Sequence, residues 1–108
     1  AESIAGDADT EIYTTIAETG LSLGFVEEAE DCYNLALEID NKNAYLWLDY
    51  GNFLFRIGKY KEAIKAFETA PLYDDDNVIK QSSAIGIAEV FVELKQYQKA
   101  KEIIDEFM

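Results

Sequence analysis

The chain has 108 residues, the length of one ordinary domain. Its net charge of −13 argues against nucleic acid or an anionic membrane as partner, because both need a basic footprint. With no histidine and Cys32 as the one cysteine, zinc ligation and thiol catalysis lose their usual parts.

The acidity is concentrated at the start. Between Ala1 and Asn41 there are eleven acidic residues and no lysine or arginine, whereas from Lys42 onward eleven acidic and nine basic residues leave −2. Such asymmetry suits solubility or a partner rich in basic residues. No segment approaches the roughly 18 consecutive apolar residues of a membrane span, and no charged-then-apolar leader opens the chain. A soluble protein is therefore expected. No intrachain disulfide is possible, so nothing requires an oxidising compartment, which favours the cytoplasm, and Cys32 is expected to be a buried structural residue. Because the first residue is Ala1, the chain reads as a fragment or a processed form.

The opening stretch "DADTEIYTTIAE" places Asp7, Asp9, Glu11 and Glu18 at offsets resembling a calcium loop. Ile12 stands where that loop needs glycine, and the helical spacing of Tyr13 and Ile16 already claims the segment, so capping and solvation explain these acids. Tyr13, Ile16 and Ala17 mark a first helix. After Gly24, the spacing of Ala29, Tyr33 and Ala36 predicts a second.

In the centre, Leu46, Trp47, Tyr50, Leu54 and Ile57 define one helix, and Ala63, Ile64, Phe67 and Ala70 another beyond Gly58 and Lys59. Gly58 is read as a terminator taking positive φ. Gly51 costs roughly 1 kcal/mol inside a helix, and is read as a point of close approach by the second helix. Pro71, which lacks an amide hydrogen, is expected to end or kink the helix before it. Asp76 or Asn77 then caps a helix running to about Lys95, with Ala84, Ile87, Ala88 and Phe91 at its packing positions and Ala100 and Ile104 on a last helix.

These pairs repeat. Gly24 and Gly58, Ala29 and Ala63, Tyr33 and Phe67, Ala36 and Ala70, and Asp40 and Asp74 are each 34 residues apart. Aligning "KQYQKA" with "GKYKEA" sets Ala100 opposite Ala63 at 37, so three residues are inserted, with "PLYDDDN" as the natural place. A period of this length predicts stacked helical hairpins.

Trp47, Tyr50, Gly51 and Leu54, followed by Ala63 and Phe67, resemble the tetratricopeptide repeat pattern W-x2-L-G-x2-Y, then A-x3-F, with tyrosine and leucine exchanged. The resemblance implies an all-α, right-handed α-solenoid of antiparallel helix pairs. Its repeats are residues 10–43, 44–77 and 78–108, the last truncated, after a tail or end of a preceding helix at 1–9. Gly20 stands where the pattern wants a large residue, so the first helix is expected to be loose there, and Phe107 stands where alanine is usual. No polar helix caps the last unit, which suggests a longer array or an end covered by another copy.

The family's concave groove is lined by the first helix of each pair. Carried over residue by residue, the expected partner-binding set is Glu11, Glu18, Tyr45, Leu48, Asp49, Asn52, Phe55, Ile85 and Glu89, with Thr14, Leu21, Arg56, Ser82 and Val92 beside them. The central helix supports this independently, since it is apolar nearly all round and Tyr45, Leu48 and Phe55 form a second stripe that something must cover. One subset of the family grips acidic chaperone tails with a basic clamp. The matching positions here are Thr14, Glu18, Asp49, Ser82 and Gly86, none of them basic, so an acidic tail would be repelled.

Carboxylate pairs such as Glu27 with Asp31 and Glu89 with Glu93 read as solvated helix faces rather than acid–base catalysts. "GKYKEAIK" lacks the flanking glycines and preceding strand of a phosphate loop. The expectation is a non-enzymatic interaction scaffold without metal or cofactor, binding a basic or apolar protein segment. The alternative is a self-assembling repeat module.

Overall fold

In the computed structural model the backbone is described for residues 2–107 and the side chains for residues 10–106. The carboxylates of Asp7 and Asp9 and the ring of Phe107 lie outside the described side chains. Six helices follow one another: α1 (Glu2–Ser22), α2 (Val26–Ile39), α3 (Ala44–Arg56), α4 (Tyr60–Tyr73), α5 (Asn77–Glu93) and α6 (Tyr97–Phe107). They pack as hairpins, α1 on α2, α3 on α4 and α5 on α6. α5 also lies against α3 and α4, and α2 touches α3. The all-α stack of paired helices expected from the 34-residue period is what forms.

One turn, used three times, joins the helices of each pair. The Phe25, Lys59 and Gln96 amides donate to the carbonyls of Gly20, Leu54 and Phe91 at 2.7, 2.9 and 2.8 Å. The amides of Gly24, Gly58 and Lys95 donate to Leu21, Phe55 and Val92. This double bond pattern needs a left-handed residue after the helix. Gly24 has φ +90°, Gly58 +87° and Lys95 +63°. These turns fall 34 and 37 residues apart, as the shifted alignment requires. The inserted residues are not in the linker, however. α5 has 17 residues against 13 in α3, while the linker at 74–76 is shorter than the one at 40–43.

Caps fix the turns between pairs. The Asn43 side chain accepts from the Leu46 amide at 3.2 Å, and Asp76 accepts from the Val78 amide at 2.8 Å. Pro71 does not end α4, which continues to Tyr73. A proline at this point leaves the carbonyl four residues earlier, that of Phe67, without its amide partner. The Ser83 hydroxyl of α5 donates to that carbonyl. Nor is α1 loose at Gly20: it runs unbroken from Glu2 through Gly20, where a β-carbon would meet Phe25 and Ala29 at ordinary contact distance.

The core follows the repeat positions. Ala17, Ala29, Tyr33, Leu46, Leu54, Ala63, Phe67, Ile79 and Val90 are buried. Gly51 answers its expected role: a β-carbon there would stand 2.8 Å from the Phe67 ring. Cys32 is partly buried against this core.

Candidate functional site

α1, α3 and α5 supply most of the lining of a run of cavities along one face. The central cavity, about 420 Å³, is bounded by Glu18 and Leu21 from α1, Asp49, Asn52, Phe55 and Arg56 from α3, and Glu89 from α5, over Tyr33 and Phe53. A second, about 340 Å³, lies towards the start of α3. It holds Glu11, Thr14 and Tyr45 and shares Asp49 with the first. A third, about 500 Å³, lies between α5 and α6. There Ile85, Ala88, Val92, Ala100 and Ile104 make an apolar trough that shares Phe55 and Glu89 with the central cavity. Shared walls make the three one continuous groove.

Of the expected binding residues, Glu11, Glu18, Tyr45, Asp49, Asn52, Phe55, Ile85 and Glu89 line this groove. Tyr45 is 58% exposed and Ile85 50%. Leu48 departs from the set. It is only 8% exposed and belongs to the hydrophobic core, so part of the second apolar stripe of α3 is covered within the chain itself. Phe55 is half-buried, its ring 5.8 Å from that of Tyr60. Gly86, a clamp position by resemblance, is buried where a β-carbon would meet the Phe67 ring.

Two contributors escape sequence reasoning. The α6 wall, Lys101 and Ile104, belongs to a second helix of a pair, and the resemblance assigns the groove to first helices. Tyr33 occupies a packing position and its ring does pack, with centroids 4.9 Å from Phe53 and 5.7 Å from Tyr50. It nevertheless also lines the central cavity, where Asp49, Glu18 and Arg56 act on its phenol, and the one signal for that is a tyrosine where the next repeat has Phe67.

The electrostatics of the central cavity are one-sided. Asp49 sits above the usual carboxylate range because burial disfavours its charge and because Glu18 repels it. The Tyr33 phenol is pushed up chiefly by burial, then by Asp49 and Glu18, with Arg56 opposing. The one ion pair among the described residues, Lys59 to Glu30 at 2.8 Å, lies elsewhere and leaves Arg56 unpaired. No cluster of three or more metal-ligating side chains occurs among the described residues, and no described helix is long and apolar enough to cross a membrane.

The family profile described as tetratricopeptide repeat matches residues 21–84. No curated protein matches the sequence. Among solved structures, the second TPR of Spaghetti (RPAP3) bound to the HSP90 peptide SRMEEVD is similar at TM-score 0.69 and 21% identity, covering 92% of this chain and 84% of that one. MamA is similar at TM-score 0.70 and 19% identity. That match covers 99% of this chain, which spans only 63% of MamA.

Proposed function

This chain belongs to the tetratricopeptide repeat family, whose domains mediate protein–protein interactions, and we propose that it is a non-enzymatic scaffold that holds an apolar and basic segment of a partner protein in its groove. The observation that carries this reading is the convergence of Glu18, Asp49 and Glu89, from three helices, on one cavity that opposes them with Arg56 alone. Beside it runs an apolar trough of the kind that accepts a partner's side chains. The similar RPAP3 domain is bound to a peptide with three acidic residues. In this chain Thr14, Glu18, Asp49, Ser82 and Gly86 stand at the clamp positions, so the preference is reversed in sign.

Affinity capture from an extract of the source organism tests the reading, with the native protein set against a folded Tyr45→Ala, Phe55→Ala, Ile85→Ala variant at low and high salt. A protein retained by the native form alone, and less at high salt, supports the groove and its charges. Equal recovery by both forms contradicts it.

A second reading, self-assembly, draws on the outer face of α1, where Ile12 and Ile16 are exposed beside Glu11 and Thr15 around a shallow cavity of about 380 Å³. A solution mass that rises with concentration, and ceases to do so in Ile12→Ser, Ile16→Ser, supports it. A constant monomer mass excludes it.

A further inference from the structure

We infer that the central cavity receives a single arginine or lysine side chain of the partner segment, between Glu18, Asp49 and Glu89 and over the Tyr33 hydroxyl, while a neighbouring large apolar side chain of that segment enters the α5–α6 trough. The inference rests on the reading of the groove as the binding surface and says which chemistry goes where.

The charge of the cavity says what it takes, and Tyr33 adds an acceptor on its floor beside Asp49 and Glu18. Tyr33 is 3% exposed, yet its hydroxyl has no hydrogen-bond partner among the described residues and borders the cavity. No buried side-chain polar atom lacks a partner among the described residues, so this hydroxyl is open to the cavity and can be reached by a donor entering it. A phenol oxygen accepts from a cationic N–H, and the carboxylates of Glu18, Asp49 and Glu89 accept the rest. An acidic ligand would meet three like charges there. A neutral one would leave the carboxylates uncompensated, as Asp49 already is: burial and Glu18 both oppose its charge, and no cation offsets them.

Arg56 does not serve as that internal cation, for it makes no ion pair among the described residues. Phe55 and Glu89 wall both the cavity and the trough, so a segment that places its cation in one brings an adjacent side chain to the other. Arginine fits better than lysine, because its fork offers five donors and its plane can lie on the Phe55 ring.

The test pans displayed short random peptides against the immobilised native protein and measures the recovered peptides on variants. The expected consensus is arginine or lysine beside a large apolar residue. Affinity should fall about fivefold in Tyr33→Phe, which keeps the ring packing, and about tenfold in Asp49→Asn. It should rise in Arg56→Gln, a gain that a merely unfolded variant could not give. Replacing the peptide's arginine by lysine measures the fork, and replacing it by citrulline measures the charge.

Peptides that depend on Ile85 but lack a basic residue, or that ignore Tyr33→Phe and Asp49→Asn, overturn this inference while the groove reading stands. Peptides indifferent to Ile85→Ser as well, or no recovered peptide at all, overturn both.

Discussion

The Ser83 hydroxyl of α5 donates to the carbonyl of Phe67, the oxygen that Pro71 leaves without a helical amide. A defect within α4 is thus repaired by the next hairpin, and the repair ties the second and third pairs together. Ser83→Ala should cost about 1–3 kcal/mol, the range for stranding a buried acceptor. In a Pro71→Ala background the amide returns, and the same substitution should cost clearly less. Chemical denaturation of the four proteins of this cycle checks it, and equal costs in both backgrounds would show that the two residues are not coupled.

The Phe67 ring, whose backbone carbonyl Ser83 holds, is also closely approached by two glycines, Gly51 of α3 and Gly86 of α5. A β-carbon on Gly51 would stand 2.8 Å from it, and one on Gly86 2.6 Å. Alanine at either place gains helix propensity of about 1 kcal/mol, but overpacking typically costs about 1–3 kcal/mol. Each single substitution should therefore lower the melting temperature. Combining either with Phe67→Leu, which shortens the side chain, should recover part of the loss relative to additivity. Strict additivity would contradict the contact.

Lys95 does the work of glycine at φ +63°, in the turn where the earlier pairs have Gly24 and Gly58. A side chain in that region is strained, so Lys95→Gly should stabilise, by a few tenths to about 1 kcal/mol after the extra freedom of the unfolded chain is counted. Thermal unfolding reads this directly. The same substitution moved one residue along, to Gln96, should not stabilise.

Asp49 links the groove to pH. A carboxyl raised in the folded state binds its proton more tightly folded than unfolded, so stability falls as pH rises through and just above the ordinary carboxylate range. Asp49→Asn should raise the melting temperature at neutral pH, and the gain should shrink towards acid, where the native carboxyl is protonated anyway. A gain independent of pH would assign the effect to packing.

Much of this was legible because repeats report themselves. Gly51, Gly58 and the Asp76 cap each have a local physical reason that survives in the folded chain. What was not legible depended on a neighbour. Pro71 breaks an isolated helix, but Ser83, distant in sequence, supplies the missing donor. The three-residue insertion looked natural in a polar linker, yet α5 absorbs it by lengthening. Leu48 reads as part of an open stripe because α3 is apolar nearly all round, yet it is buried, since periodicity alone does not say which apolar face other helices cover. Most of the groove set could be carried over by position. The Tyr33 hydroxyl and the α6 wall could not, since one is the far end of a core residue and the other lies outside the first helices.

The groove itself is tested most directly by following backbone amide shifts of the native protein as a panned basic, apolar peptide is added at low salt. The affected residues should lie along α1, α3 and α5 and on the trough wall of α6, with Glu18, Asp49, Asn52, Phe55 and Glu89 among the largest changes, and the response should weaken as salt is raised. Shifts confined to exposed positions of α2 and α4, such as Glu27 or Glu68, would place the partner away from the groove and contradict it.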